Sequence, residues 1–169
     1  MQGFEANRDL PVGIYRLKDV FHGLETSPAV QGIFGDNGLA KGVLEKVVVE
    51  IHPTRPSYMR VSDEDGRIVV GKRHLQDGDD VTLYLDAVHE LTHVKQFWEG
   101  KELFDKKYEY VDRPTEIEAF RSAVLEALRL GLDEKTIREY LKTEWMTEED
   151  LEKLIRNIGL NLRDADPSR

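Results

Sequence analysis

The order of signals along the chain predicts an α+β fold, with a small, mainly antiparallel sheet first and helices after it. Three observations carry this reading. β-Branched runs bounded by turn residues are confined to the first 78 positions. Near residue 79 the apolar period changes from two to 3.6. The full length of 169 residues is one domain's worth of chain, long enough to bury a core. Within that single domain, residues 1–78 form the sheet-rich part, 79–131 two long helices and 132–160 two further helices.

The sheet comes from three runs. Residues 44–51 (LEKVVVEI) read as a strand stopped by His52 and Pro53. Residues 57–61 and 67–71 read as two short strands joined by the acidic, glycine-ended loop Asp63-Glu64-Asp65-Gly66. Upstream, residues 15–24 suggest a short helix, and residues 32–42 (GIFGDNGLAKG) a glycine-rich connector. Asp79 or Asp80 then caps a helix running through Trp98, with Leu83, Ala87, Leu91 and Val94 on one stripe and Gly100 as its stop. A second helix opens near Asp112, where Pro114 suits the first helical position because its missing N–H is not needed there. Ile117, Phe120, Val124 and Leu128 mark its buried face, and Gly131 ends it. Asp133 starts a third helix to about Glu144, and Thr147 with Asp150 forms a capping box for a fourth, to about Asn157. Leu141, Trp145, Leu151, Leu154 and Ile155 are expected to fold these last helices onto the core, and residues 163–169 to fray.

Composition narrows the chemistry. Hydrophobic residues at 40% and charged residues at 34% describe a globular chain and exclude a disordered tail, a collagen-like fibre and a membrane-embedded protein. Lys and Arg number 24 against 33 Asp and Glu, a net charge of −9, and such a surface repels phosphate backbones, so no nucleic-acid partner is expected. Cysteine is absent, which excludes disulfides, thiolate metal sites and thiol nucleophiles. Any metal must be held by His, Asp or Glu. The first residues lack the basic and apolar stretches of a secretory signal, and no apolar run approaches a membrane span, so a cytoplasmic protein without a membrane partner is expected.

One motif carries chemistry. His89-Glu90-Leu91-Thr92-His93 lies inside the first long helix. Four residues make about one turn, so both imidazoles project from one face and can share a zinc ion at about 2.0–2.1 Å each. Glu90 sits beside that pair, placed to take a proton from water on the ion without binding the ion itself. Five-residue strings of this kind also occur by accident, and the helical setting and a third ligand candidate downstream strengthen this one. In residues 113–120 (RPTEIEAF), Glu116 and Glu118 point to different sides of the second helix, so only one faces the metal. Glu116 shares its side with Ala119, Ala123 and Ala127, small residues that let two helices approach closely, whereas Glu118 groups with Ser122 and Arg129. Glu116 is therefore favoured and Glu118 is the alternate ligand. Taken alone, either is an ordinary first-turn acid favoured by the helix dipole.

HELTH in a helix, followed after twenty-two residues by E-x-E-A at the start of another, resembles the zincin metallopeptidases, and among them the gluzincin branch in its compact cytosolic form. The resemblance spans residues 80 to about 130. It implies a zincin-like fold, a Zn2+ cofactor held by His89, His93 and Glu116, Glu90 as catalytic base, and a peptide or protein substrate. The family commonly has Asp or Asn four residues after the ligand Glu. Here that position is Phe120, or Ser122 if Glu118 binds. The oxyanion formed on hydrolysis needs a donor besides the metal. Tyr108 and Tyr110, between the two helices, and His74, before the first, are the candidates by position, though each residue type more often packs or faces solvent. The resemblance also implies an edge strand that pairs with an extended substrate, and residues 67–71 are the candidate. Two other readings compete: a catalytically silent zincin-fold binding or regulatory module, and an α+β domain in which HELTH is accidental.

Overall fold

The computed structural model describes residues 3–53 and 58–162. Its order is α+β, as the sequence predicts. β1 (Glu5–Ala6), β2 (Gly13–Arg16), α1 (Leu17–Val20), β3 (Phe21–His22), α2 (Pro28–Phe34), α3 (Asn37–Leu44), β4 (Val48–His52), β5 (Met59–Val61), β6 (Ile68–Gly71) and α4 (Lys72–Asp77) come first. They are followed by α5 (Asp80–Trp98), α6 (Pro114–Arg129), α7 (Glu134–Leu141) and α8 (Glu148–Ile158). Buried residues from Ala6 to Leu162 form a single apolar cluster that draws on all three stretches of the chain. Among the described residues, no helix is long and apolar enough to cross a membrane.

The main sheet has the order β2-β4-β6-β5. The chain leaves β4, crosses to the far edge as β5 and returns through a hairpin as β6, which slots beside β4. That return makes β4 and β6 parallel, while β2–β4 and β5–β6 are antiparallel. A separate two-stranded ribbon pairs β1 with β3, also antiparallel. Every residue of β6 is buried, and Ile68, Val69 and Val70 are paired on both sides, so residues 67–71 are not the edge strand that the sequence suggested. The edges are β2 and β5. Strand β5 alternates buried Met59 and Val61 with half-buried Arg60, and it lies against α5. Of the predicted 57–61 strand, Ser57 lies outside the described residues, as does the 163–169 tail expected to fray.

The early chain departs most from expectation. Residues 32–42 are not a connector but most of two helices, α2 and α3. Their caps explain this: Ser27 Oγ accepts the Val30 N–H with Pro28 at the first position, and Asp36 accepts the N–H groups of Gly38 and Leu39. Val30 and Ala40 are fully buried, and that packing outweighs the poor helix propensity of the glycines. Consequently Leu44 closes a helix, and the strand begins only at Val48. The helix expected at 15–24 shrinks to the four residues of α1, because Gly13–Arg16 pairs with β4 instead.

Downstream, α5, α7 and α8 start where a capping side chain dictates, while α6 opens on Pro114 without one. Asp79 accepts the Thr82 N–H, Asp133 that of Thr136, and Thr147 with Asp150 forms the full capping box. α7 ends at Leu141, short of the predicted 144. Leu141, Leu151 and Leu154 are buried as expected, but Trp145 in the α7–α8 connector is 60% exposed, its ring resting on Tyr110 and not in the core.

Gly66 locks the β5–β6 hairpin against the end of α5. Its φ is +75°, and a Cβ there would stand 2.5 Å from Phe97 Cδ1. Gly131 has a similar φ of +78° with nothing within 4 Å. Gly131→Ala therefore meets only the left-handed backbone penalty, about 1 kcal/mol. Gly66→Ala adds a clash worth a further ~1–3 kcal/mol. Denaturant unfolding should rank the two variants in that order; equal midpoints would mean that the hairpin is not seated on Phe97.

Candidate metal centre

α5 is apolar on nearly every side because it is surrounded: β5, α2 and α6 all pack on it. Leu83, Ala87, Leu91 and Val94, the predicted stripe, are each 0% exposed. His89 and His93 project from the opposite face, with Glu90 between that face and the stripe. His89, Glu90 and His93 are 7%, 5% and 5% exposed, a burial that ionisable groups tolerate only when they satisfy one another or bind an ion. α6 closes over them. Ala119, Ala123 and Ala127 are all 0% exposed, so the small-residue face does bring this helix close, and it delivers Glu116 in the first turn, 4% exposed.

The resulting triangle is tight. His89 Nε2 and His93 Nε2 lie 3.1 Å apart, and Glu116 Oε2 is 3.5 Å from the first and 3.4 Å from the second. Among the described residues this is the one group of three ligand-type side chains within metal-binding reach of one another. Ligand bonds of about 2.0–2.1 Å at tetrahedral angles place donor atoms about 3.3–3.4 Å apart. The three separations bracket that value, so the donor set fits a small divalent cation of the zinc type.

The electrostatics point the same way. Burial pushes the Glu90 carboxyl up. Burial also acts against charge on His93 and Glu116, but their mutual hydrogen bonding and attraction prevail, holding Glu116 well below the carboxylate range and pushing His93 up to about 9. Two buried carboxylates thus lie beside the two imidazoles, a setting that favours a cation.

Around the triangle, Arg113 Nη1 stands 3.6 Å from Glu116 Oε1, so the two oxygens of that carboxylate divide between the guanidinium and the imidazoles. The Phe120 ring meets His89 edge-on at 4.4 Å. Burial, together with the nearby charges of Glu116 and Glu90, raises the phenol pKa of Tyr110. His93 Nδ1 meets Gln96 Oε1 at 2.7 Å. Two buried polar atoms, His89 Nδ1 and Glu90 Oε2, have no hydrogen-bond partner.

The other sequence candidates fall elsewhere. Glu118 is turned away, its carboxylate 2.9 Å from Gln96 Nε2 and 3.0 Å from Lys101 Nζ, and its side chain is 45% exposed. Tyr108 is an exposed connector residue. His74, on the unpredicted helix α4, is buried with Nε2 2.7 Å from Asp86 Oδ2, one turn before Glu90. Tyr140 from α7 lies near the same Asp86, and burial together with the charges of Asp86 and Glu90 raises its pKa. Sequence reasoning missed Gln96, Arg113, Asp86 and Tyr140. Gln96 had a local signal, since it lies three residues beyond His93 on the same helix face. Tyr140 had none, because only the packing of α7 brings it to the site.

No protein-family model matches this chain, and no match was found among the curated proteins or the solved structures.

Proposed function

We propose that this chain is a zinc-dependent metallopeptidase of the zincin type, with His89, His93 and Glu116 as the metal ligands and Glu90 as the general base. The single observation behind the reading is the triangle of 3.1, 3.4 and 3.5 Å with a second buried carboxylate beside it. Three protein ligands leave a fourth tetrahedral position free, the pattern of catalytic rather than structural zinc. A bound divalent ion supplies Lewis-acid polarisation of a carbonyl and acidifies water at that position. Glu90, in contact with no other polar group through Oε2, accepts the proton of the attacking water and returns it to the leaving amine. Its burial moves its pKa toward neutrality, where a general base works best. Tyr110 is the donor candidate for the developing oxyanion, because its ring packs on Phe120 beside His89 and its phenol feels the charges of Glu116 and Glu90. An extended peptide would pair with the free edge of β5, which lies along α5.

Burial of the whole site favours a second reading, a silent module stapled by its metal. Trp145, Tyr110 and Phe120 run ring to ring, at 4.6 and 6.2 Å, down to the 4.4 Å contact of Phe120 with His89. The peptidase reading requires that aromatic cover to open for substrate.

Elemental analysis of protein purified without added metal should find one zinc per chain. The same protein should cleave an unstructured protein substrate, lose that activity to a chelator and regain it with zinc. Zinc without cleavage supports the silent module; no zinc at micromolar concentration defeats both readings.

A further inference from the structure

We infer that Gln96 is the positioning residue of the centre, fixing the ring of His93 and the start of the Glu116 helix through one buried amide. The inference rests on the reading of the triangle as a metal site. Gln96 is 0% exposed and sits on α5 one turn past His93. Its amide Nε2 donates to the backbone carbonyl of Thr115 at 3.0 Å and to Glu118 Oε2 at 2.9 Å. Both of those partners only accept, so the amide has one orientation, with Oε1 turned to His93. An amide oxygen only accepts, and at 2.7 Å the His93 Nδ1 must therefore carry the proton. In neutral His93, Nε2 is then left with its lone pair aimed at His89 and Glu116. The proton that a metal would displace is thus the one on Nε2, and the bond to Gln96 keeps the other on Nδ1, the tautomer a ligand needs.

The same amide reaches the residue immediately before Glu116. One side chain therefore ties the second imidazole to the turn that delivers the carboxylate. Glu118 and Lys101 complete the chain of contacts from the other side, which gives Glu118 a role behind the ligands and not among them. At position 120, where the gluzincin pattern carries Asp or Asn, this chain has Phe, packed on His89. The polar support in this chain comes from α5 and reaches His93. His89 Nδ1, buried with no partner, shows the consequence: only His93 is held.

A helix latch with no bearing on the metal would make the same contact to Thr115, so the test reads the metal. Gln96→Leu keeps the volume and removes both functions. Its zinc affinity, from competition with a chromophoric chelator, should fall about 10–100-fold, the usual effect of losing the partner of a ligating histidine. The slowly exchanging His93 Nδ1–H proton in the NMR spectrum of the zinc-loaded protein should exchange rapidly in the variant. The swap Gln96→Glu with Glu118→Gln restores the acceptor for His93 and a donor from position 118 but leaves the Thr115 carbonyl facing a carboxylate oxygen, so it should recover part, and not all, of the affinity lost in Gln96→Leu. This double variant also serves if Gln96→Leu does not fold. Wild-type affinity in Gln96→Leu, or no rescue by the swap, overturns the inference while leaving the metal site standing. Failure of the wild-type chain to bind zinc removes the metal reading itself, and the inference with it.

Discussion

Glu90→Gln should retain the metal and lose peptide cleavage by about 10²–10⁴-fold, the range associated with a positioned general base. The two side chains have the same shape, so α5 keeps its packing. Oε2 of Glu90 is buried without a partner, so an amide there breaks no hydrogen bond of that atom. Replacing a buried carboxylate by a neutral group also removes the desolvation penalty that pushes its pKa up, and the variant should unfold at the same temperature as wild type or higher. Zinc content should be unchanged, because His89, His93 and Glu116 supply the ligands. Activity, stability and metal content thus separate: the first falls and the other two hold. Cleavage at the wild-type rate would show that water is activated elsewhere and would falsify the proposed mechanism.

Much of this candidate centre is legible in the sequence, and the reason is local. His89, Glu90 and His93 lie within one turn and a half of a helix, so their common face follows from helical geometry alone. The helix starts follow from Asp79, Asp133 and Thr147, residues that satisfy free N–H groups through their own side chains. Glu116 was legible at one remove, through three alanines that predict a close helix pair and are fully buried in the structure. The misreadings are of another kind. Glycines at 32, 38 and 42 argue for a loop on propensity, and the helices they occupy exist because Val30 and Ala40 are buried by tertiary packing. The edge strand was misplaced because a hairpin inserts its second strand and leaves its first at the rim, an ordering that local pattern does not encode. Tyr140 reaches the centre only through folded contacts, and no spacing rule joins it to HELTH, whereas Arg113 carried a local signal, three residues before Glu116.

The ligand choice gives the second large effect. Glu116→Ala should weaken zinc binding by more than the roughly 10–100-fold expected of an outer partner such as Gln96, while Glu118→Ala should change it by no more than about threefold. The geometry sets this order. Glu116 Oε2 stands 3.4–3.5 Å from both imidazole nitrogens, the separation of atoms sharing one small cation, and its loss leaves two neutral ligands for a dication. Glu118 is bonded to Gln96 and Lys101 on the solvent side of α6, and its removal leaves Gln96 with the Thr115 carbonyl as an acceptor. Glu116→Ala also strips Arg113 of its buried carboxylate partner, so part of any loss could be structural. Glu116→Gln answers that point: it keeps the volume and a neutral oxygen donor, and it should bind zinc more weakly than wild type but more tightly than the alanine variant. Chelator competition on all three variants reads the series directly. If Glu118→Ala lost the metal and Glu116→Ala kept it, α6 would have to be rotated by about half a turn, carrying Ala119, Ala123 and Ala127 away from α5.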